Sequence, residues 1–133
     1  MASLDDPAVR ALLEPANYAV VSTLSPDGSI SSSIVWVSLE SDELAVNSAA
    51  GRKWPTNLDR DGHVTLLVFE AENPYEYVEI RGQATGTRED ADGHIDRLAK
   101  KYINQDKYPS RTPEEERVKY VITPETVRYV KQG

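Results

Sequence analysis

A succession of extended segments, each closed by a turn, leaves this chain few ways to fold. The first turn contains Pro26 and Gly28, where proline fixes φ and glycine accepts a positive φ. Most of the connections have hairpin length, so the segments are predicted to pair as antiparallel neighbours. They are rich in β-branched and aromatic residues and are predicted to be strands at 18–24, 30–39, 43–48, 62–70, 75–88, 117–123 and 126–130.

Two of these segments carry further information. The stretch 64–69 is almost continuously apolar, which is typical of a strand that is buried on both faces. Gly82 and Gly86 lie inside the long segment 75–88, where glycine indicates a bend or a β-bulge.

Helices are predicted to be few and to pack outside the sheet. Asp5 or Asp6 can cap a short helix that begins at Pro7 and ends at Pro15. The other predicted helical segments are 52–59, a helix from 90 or 92 to about 105, and a turn at 113–116 that is capped by Thr112. The pattern therefore predicts a mainly β, antiparallel barrel with flanking helices, in one domain over residues 1–133.

Charge and cysteine content restrict the partners and the chemistry. The 133 residues include 15 Lys and Arg against 22 Asp and Glu, a net charge of -7, which argues against nucleic-acid binding. A small anionic ligand would need a local basic pocket. The absence of cysteine excludes disulfides, thiolate metal sites and cysteine nucleophiles. No signal peptide or membrane span is recognisable, so a cytoplasmic protein is expected.

The familiar catalytic patterns are missing. The only histidines are His63 and His94, which are interpreted as ordinary surface residues because no carboxylate pattern accompanies them. No nucleophile elbow, P-loop or dinucleotide fingerprint is present. No metal site is predicted, and no catalytic residue is named.

One segment suggests an anion site. Small residues end the predicted strand at Asn47 to Ala49, and the adjacent cations Arg52 and Lys53 open the next helical turn. A strand end followed by a helix start presents unpaired backbone N–H groups, and arginine binds phosphate through two parallel hydrogen bonds. The alternative interpretation is a solvated turn with two surface cations.

A second segment, 31–37, brings three serines into an apolar strand that also contains Trp36. Serine hydroxyls beside a tryptophan wall are suited to a flat conjugated ring. The alternative interpretation is a half-buried strand with a core tryptophan.

Taken in order, these segments resemble the pyridoxamine 5'-phosphate oxidase-like split β-barrel family. The similarity rests on the Asp27–Gly28 turn, the strand with Ile34 to Trp36, the basic segment before Asn57 to Asp61, and 77–86. The chain is most similar to the deazaflavin (coenzyme F-420)-dependent reductase branch, type B. The resemblance implies a mainly β, FMN-binding-like split barrel that acts as a homodimer and transfers hydride from reduced deazaflavin to a conjugated small molecule.

The same resemblance implies a cofactor site at the dimer interface. The residues implied to hold the ring are Ser31, Ser33, Val35 and Trp36, with polar and backbone contacts from Asn47, Ser48 and Ala49, and phosphate contacts from Arg52, Lys53 and Asn57. Three positions depart from the family pattern. Ile34 and Gly62 stand where proline is common, and Trp54 stands where a lysine is usual.

Three alternatives stay open. FMN, with a single phosphate, would suit a compact site of two cations, and the acidic surface favours it over the polyglutamate tail of F-420. A non-catalytic protein that binds flavin or heme would use the same groove. A structural homodimer would leave the groove empty. No residue of the sequence selects the substrate.

Overall fold

The strand-rich sequence forms one antiparallel sheet in the computed structural model, which describes residues 2–132. Met1 and Gly133, the two ends of the predicted domain, lie outside the described residues. The strands are β1 (Ala19–Leu24), β2 (Ile30–Val35), β3 (Val37–Glu40), β4 (Glu43–Ala49), β5 (His63–Glu70), β6 (Asn73–Thr87) and β7 (Arg117–Lys131). They lie in the order β2-β1-β5-β6-β7-β4-β3 in a seven-stranded sheet. The sheet curls into a half-barrel, so the predicted mainly β split-barrel fold is confirmed.

Three helices accompany the sheet: α1 (Pro7–Leu13), α2 (Lys53–Arg60) and α3 (Ala91–Ile103). Each turns an apolar face to the interior, as the spacing of their apolar residues predicts. The buried residues are Val9, Leu12 and Leu13 in α1, Trp54, Pro55, Asn57 and Leu58 in α2, and Ala91, His94, Ile95, Leu98 and Ala99 in α3. None of the helices in residues 2–132 has the length and apolarity needed to cross a membrane.

Strand β5 is buried on one face only, so the prediction of two buried faces is wrong. Val64, Leu66 and Val68 are buried, whereas Leu67 and Phe69 between them are partly exposed. An antiparallel sheet needs a core on one face only, and the barrel interior supplies that core.

The predicted strand 30–39 is two strands that belong to opposite edges of the sheet. β2 pairs with β1 and β3 pairs with β4, and the chain changes partner at Trp36. The backbone N–H of Val37 donates a hydrogen bond to the hydroxyl of Tyr102 at 3.1 Å, and the Lys101 ammonium donates to the Val37 carbonyl at 2.6 Å. Helix α3 therefore satisfies the backbone groups that the change of partner leaves free.

The end of the chain differs from prediction in two places. The predicted strands 117–123 and 126–130 are one strand, β7, because a register shift opposite Arg81 and Gly82 accommodates Pro124. This shift confirms the irregularity that Gly82 indicated. The predicted helical turn at 113–116 is a single hydrogen-bonded turn in which the Glu115 N–H donates to the Thr112 carbonyl at 3.2 Å.

Candidate functional site

The break at Trp36 opens one side of a groove of about 170 Å³. Its lining comes from β2, β4, α2, α3, the segment after α3 and the first residue of β7. We call it the seam groove; its lining residues are Ile34, Val35, Trp36, Asn47, Ser48, Arg52, Trp54, Ile95, Leu98, Tyr108 and Arg117.

One side of the seam groove is aromatic. The Trp36 ring stacks on Tyr102 with centroids 5.2 Å apart and planes 8° apart. The Tyr108 ring meets Trp36 edge-on at 6.1 Å. Paired rings of this kind are rigid and present a flat apolar surface, which is suited to a conjugated ligand.

Two arginines form a cationic end next to these rings. Arg117 begins β7 and its side chain is only 3 % exposed, whereas that of Arg52 is 54 % exposed. The Arg117 guanidinium lies over the Tyr108 ring, with Cζ 5.0 Å from the centroid. Burial lowers the pKa of Arg117, but an arginine stays charged at any physiological pH. A fixed cation therefore lies against the aromatic side of the groove.

Both cations contact the same carboxylate. The Glu115 Oε1 atom accepts hydrogen bonds from an Arg52 terminal nitrogen at 2.9 Å and from an Arg117 terminal nitrogen at 3.1 Å. The other oxygen, Oε2, is buried and has no hydrogen-bond partner among the described residues.

A buried chain of hydrogen bonds runs from the cationic end into the core. Arg117 Nε donates to the Asn47 side-chain carbonyl at 3.0 Å, and Asn47 Nδ2 donates to His94 Nδ1 at 3.0 Å. Because Nδ1 accepts this bond, the ring proton lies on Nε2, which donates to Ser38 Oγ at 2.8 Å. Ser38 in turn donates to the Ala45 carbonyl at 3.4 Å. The orientation of Asn47 at the groove is therefore fixed from both sides.

His94 is fully buried, so its interpretation as a surface histidine is wrong. Burial lowers its pKa to about 4, the largest cause being desolvation of the charged ring. A second proton on Nδ1 would also oppose the N–H group that Asn47 directs at it. The charged groups around the ring are Glu40 and Asp90, which raise the pKa, and Lys119 and Arg97, which lower it.

This histidine makes stability depend on pH. Its pKa is lower in the folded state than in the unfolded chain, so the unfolded chain binds more protons between pH 6.5 and 4, and stability falls as the pH falls through that window. We expect a loss of about 2 kcal/mol between pH 7 and pH 5 from this group. Urea unfolding at both pH values measures it. His94→Gln should lose clearly less over the same interval, and an equal loss would contradict the assignment.

The structure brings together part of the predicted site. Of the residues implied by the family resemblance, those lining the seam groove are Val35, Trp36, Asn47, Ser48 and Arg52. Ser31 and Ser33 share the face of β2 that Val35 occupies but lie further along the strand. Ser31 Oγ is 3.0 Å from Ser25 Oγ. Ala49 is buried at the end of β4, and Lys53 is exposed at the start of α2.

Asn57 is buried on the inner face of α2 and does not line the groove. Its Nδ2 donates to Thr23 Oγ1 at 3.1 Å, and its Oδ1 accepts a bond from Arg60 at 3.2 Å. The bond to Thr23 ties α2 to β1 and so supports the position of Arg52, the residue just before the helix.

Sequence reasoning missed several groove residues. Tyr108 and Arg117 reach the groove from parts of the chain more than fifty residues beyond Arg52, as does Glu115 behind it. A signal was present for one of them, since Arg117 is a charged residue at the start of an apolar strand. His63, by contrast, is exposed as predicted, and its hydrogen bond to Asp61 at 2.6 Å raises its pKa.

Known proteins share this sequence pattern and this fold. A model of the family described as pyridoxamine 5'-phosphate oxidase matches residues 5–131. The solved structure of an F-420 reductase is similar with a TM-score of 0.77 and 24% identity, covering 90% of this chain and 94% of that chain. A conserved hypothetical protein from Mycobacterium tuberculosis is similar with a TM-score of 0.72 and 18% identity, covering 98% and 86%.

General Stress Protein 26 from Bacillus anthracis is also similar, with a TM-score of 0.67, 19% identity and coverage of 92% of this chain and 91% of that one. A search of curated proteins found no significant match. At these identities, the structural neighbours share the fold.

Proposed function

The chain belongs to the pyridoxamine 5'-phosphate oxidase family, and from this premise we propose that it is an F-420-dependent reductase acting on a conjugated small molecule. One observation carries the proposal: the seam groove joins an aromatic side at Trp36 and Tyr108 to a cationic end at Arg52 and Arg117. A flat ring with an anionic tail matches this arrangement in shape and in charge. The F-420 reductase of the same fold supports the choice of cofactor.

The groove residues fit such a cofactor. Trp36 is held in place by its stack on Tyr102, so a ring that packs beside it meets a preformed surface. Arg52 and Arg117 supply planar guanidinium groups, whose N–H donors not taken by Glu115 and Asn47 can bind phosphate oxygens. Ser48 adds a polar group to the lining, whereas the Asn47 amide is held by bonds to Arg117, His94 and the Ala91 carbonyl.

The chain's own contribution is binding, orientation and exclusion of water. Reduced deazaflavin, when bound, supplies a hydride for an electron-poor carbon of the acceptor. Trp36, Val35 and Leu98 give the groove an apolar surface against which a ring can pack away from water. The buried Asn47–His94–Ser38 chain keeps the groove rigid, which aligns the reactants without an acid or base from the protein. We assign no catalytic residue, since water can supply the proton.

The proposal includes a homodimer. A groove of about 170 Å³ in one subunit is smaller than the roughly 300 Å³ or more of ordinary small-molecule sites. Ile34 lines this groove and is 66 % exposed on β2, an edge strand of the sheet. Ile30 lies four residues earlier on β2, on the same face as Ile34, and is also exposed. A second copy on this face would enlarge the groove and cover its apolar rim.

FMN is the second candidate cofactor. The cationic end is compact, with two arginines, and a single phosphate would occupy it fully. The net charge of -7 is also less favourable to a long polyanionic tail.

Replacing Arg52 with alanine tests the site under either cofactor. We expect the affinity for F-420 to fall about 10- to 100-fold, because a charge-assisted hydrogen bond contributes roughly 1.5–3 kcal/mol. Fluorescence titration of oxidised F-420, and separately of FMN, measures the dissociation constants. Arg128→Ala is the matched control, since Arg128 is exposed on β7 and pairs with Glu79 away from the groove.

Two outcomes would contradict the proposal. If the Arg52→Ala variant and the unchanged protein bind F-420 and FMN equally well, Arg52 does not bind the phosphate. A second experiment mixes the protein and reduced F-420 with a panel of quinones and other conjugated acceptors. If the protein binds reduced F-420 tightly but none of the acceptors oxidises it, the protein carries the cofactor and is not a reductase.

A further inference from the structure

Glu115 occupies an unusual position behind the cationic end of the seam groove. Its Oε1 atom accepts from Arg52 at 2.9 Å and from Arg117 at 3.1 Å, and its side chain is 11 % exposed. The groove is lined by the two arginines, and the carboxylate lies against their inner sides. Two fixed positive charges are therefore offset by one fixed negative charge.

The geometry is poor for a purely structural ion pair. Arginine and carboxylate groups that stabilise a fold commonly pair through two parallel hydrogen bonds. Here one oxygen serves both guanidiniums, while Oε2 is buried without a partner among the described residues. A buried acceptor without a donor is unfavourable for folding, so the carboxylate needs a different explanation.

We propose that Glu115 sets the charge that the groove accepts, so that it binds a singly charged phosphodiester in preference to a doubly charged phosphomonoester. This inference rests on the proposed function, which places a phosphate at Arg52 and Arg117. The net charge of the three groups is one positive unit, which matches one negative charge on the ligand. Coenzyme F-420 carries its phosphate as a diester, whereas FMN carries a monoester whose second pKa is about 6.

The neighbouring residue provides the matched control. Glu116 is exposed and pairs with Arg88 at 2.7 Å, and neither residue lines the seam groove. Glu115→Gln and Glu116→Gln therefore remove the same charge from adjacent positions, but only the first removes it from beside the groove.

The experiment compares three ligands at pH 7.5: F-420, FMN and riboflavin, which lacks the phosphate. We expect Glu115→Gln to strengthen FMN binding about tenfold, the effect of one charge near the protein surface, while riboflavin binding stays the same. The singly charged diester of F-420 should gain half that free energy, so the ratio of FMN to F-420 affinity should shift toward FMN by about threefold. Glu115→Asp, which keeps the charge, should retain the original ratio, and so should Glu116→Gln.

The outcomes separate this inference from the function on which it rests. An unchanged FMN to F-420 ratio in Glu115→Gln, or an equal change in Glu116→Gln, overturns the charge selection and leaves the cofactor proposal standing. An equal gain for riboflavin also overturns it, because the phosphate would then play no part. Binding of neither cofactor by the unchanged protein overturns both.

Loss of folding in Glu115→Gln leaves a second measurement, the ratio of FMN to riboflavin affinity in the unchanged protein. A phosphate that meets one net positive charge should improve binding over riboflavin by no more than one charge-assisted hydrogen bond does, about 100-fold. A larger gain would show that both arginines act on the phosphate at full charge, and would overturn the inference.

Discussion

Replacing Gly82 with alanine is expected to destabilise the fold by about 3 kcal/mol and to lower its melting temperature by about 10 °C. A Cβ at this position would overlap the Thr123 carbonyl oxygen and would approach Pro124 Cα to 3.1 Å. Both are backbone groups of β7, held by the sheet and by the proline ring, so moving either one costs free energy of folding. Thermal unfolding followed by circular dichroism measures the change.

The reason lies in the bulge where β6 meets β7. Arg81 pairs with Thr126 but Gly82 pairs with Pro124, so Glu125 is the extra residue of the bulge. The bulge lets the strand continue through a residue that has no N–H donor. It also brings the two backbones so close that only a glycine fits between them.

Gly93→Ala is the contrasting control for this prediction. Gly93 lies in α3, where the nearest atom to an added Cβ is the end of the flexible Asp90 side chain. Alanine is favoured over glycine in a helix by up to about 1 kcal/mol, so this variant should be unchanged or slightly more stable. Similar melting temperatures for Gly82→Ala and Gly93→Ala would contradict the account of the bulge.

Much of the fold was predictable because its signals are local. The hairpin between β1 and β2 follows from Pro26 and Gly28, and Gly28 has the predicted positive φ of 86°. Helix α1 begins at Pro7, and α3 carries its apolar residues at the spacing that one buried face requires. These features depend on residues a few positions apart.

The features that sequence reasoning missed depend on distant parts of the chain. No turn residue marks the break at Trp36. The chain breaks there because β2 pairs with β1 at one edge of the sheet and β3 pairs with β4 at the other, and Tyr102 and Lys101 bind the backbone of Val37 beside the break. Pro124 indicates the end of a strand when it is considered alone, and the bulge that accommodates it is created by Gly82 on another strand. Pairing partners, rather than propensity, decide both cases.

Some residues of the candidate site could likewise be predicted from the sequence, and others could not. The family resemblance implied Trp36, Asn47 and Arg52, and the structure places all three on one groove. The buried histidine could not be foreseen, because a histidine in a polar stretch of sequence gives no sign that Ser38 and Asn47 will satisfy both ring nitrogens. This polar network forms only when β3, β4, α3 and β7, which are distant in sequence, pack together.

Arg117→Met is expected to weaken binding of F-420 or FMN by about 100-fold or more, the largest effect of any groove variant. Arg117 supplies the buried cation of the groove, and its side chain also lies over Tyr108 and donates to Asn47. Methionine retains much of the volume but removes the charge and the donors. The same variant should lose about 3 kcal/mol of stability, since Glu115 keeps only the more exposed Arg52 as a partner and Asn47 Oδ1 loses its donor.

The affinity loss must be separated from the stability loss. Titration at a temperature well below the melting point of the variant measures the folded protein, and riboflavin should lose less affinity than FMN because it has no phosphate for Arg117 to contact. Arg88→Met is the matched control; its ion pair with Glu116 is exposed and should contribute less than about 1 kcal/mol. An equal affinity loss for riboflavin and FMN would show that Arg117 only supports the shape of the groove and does not bind the anion.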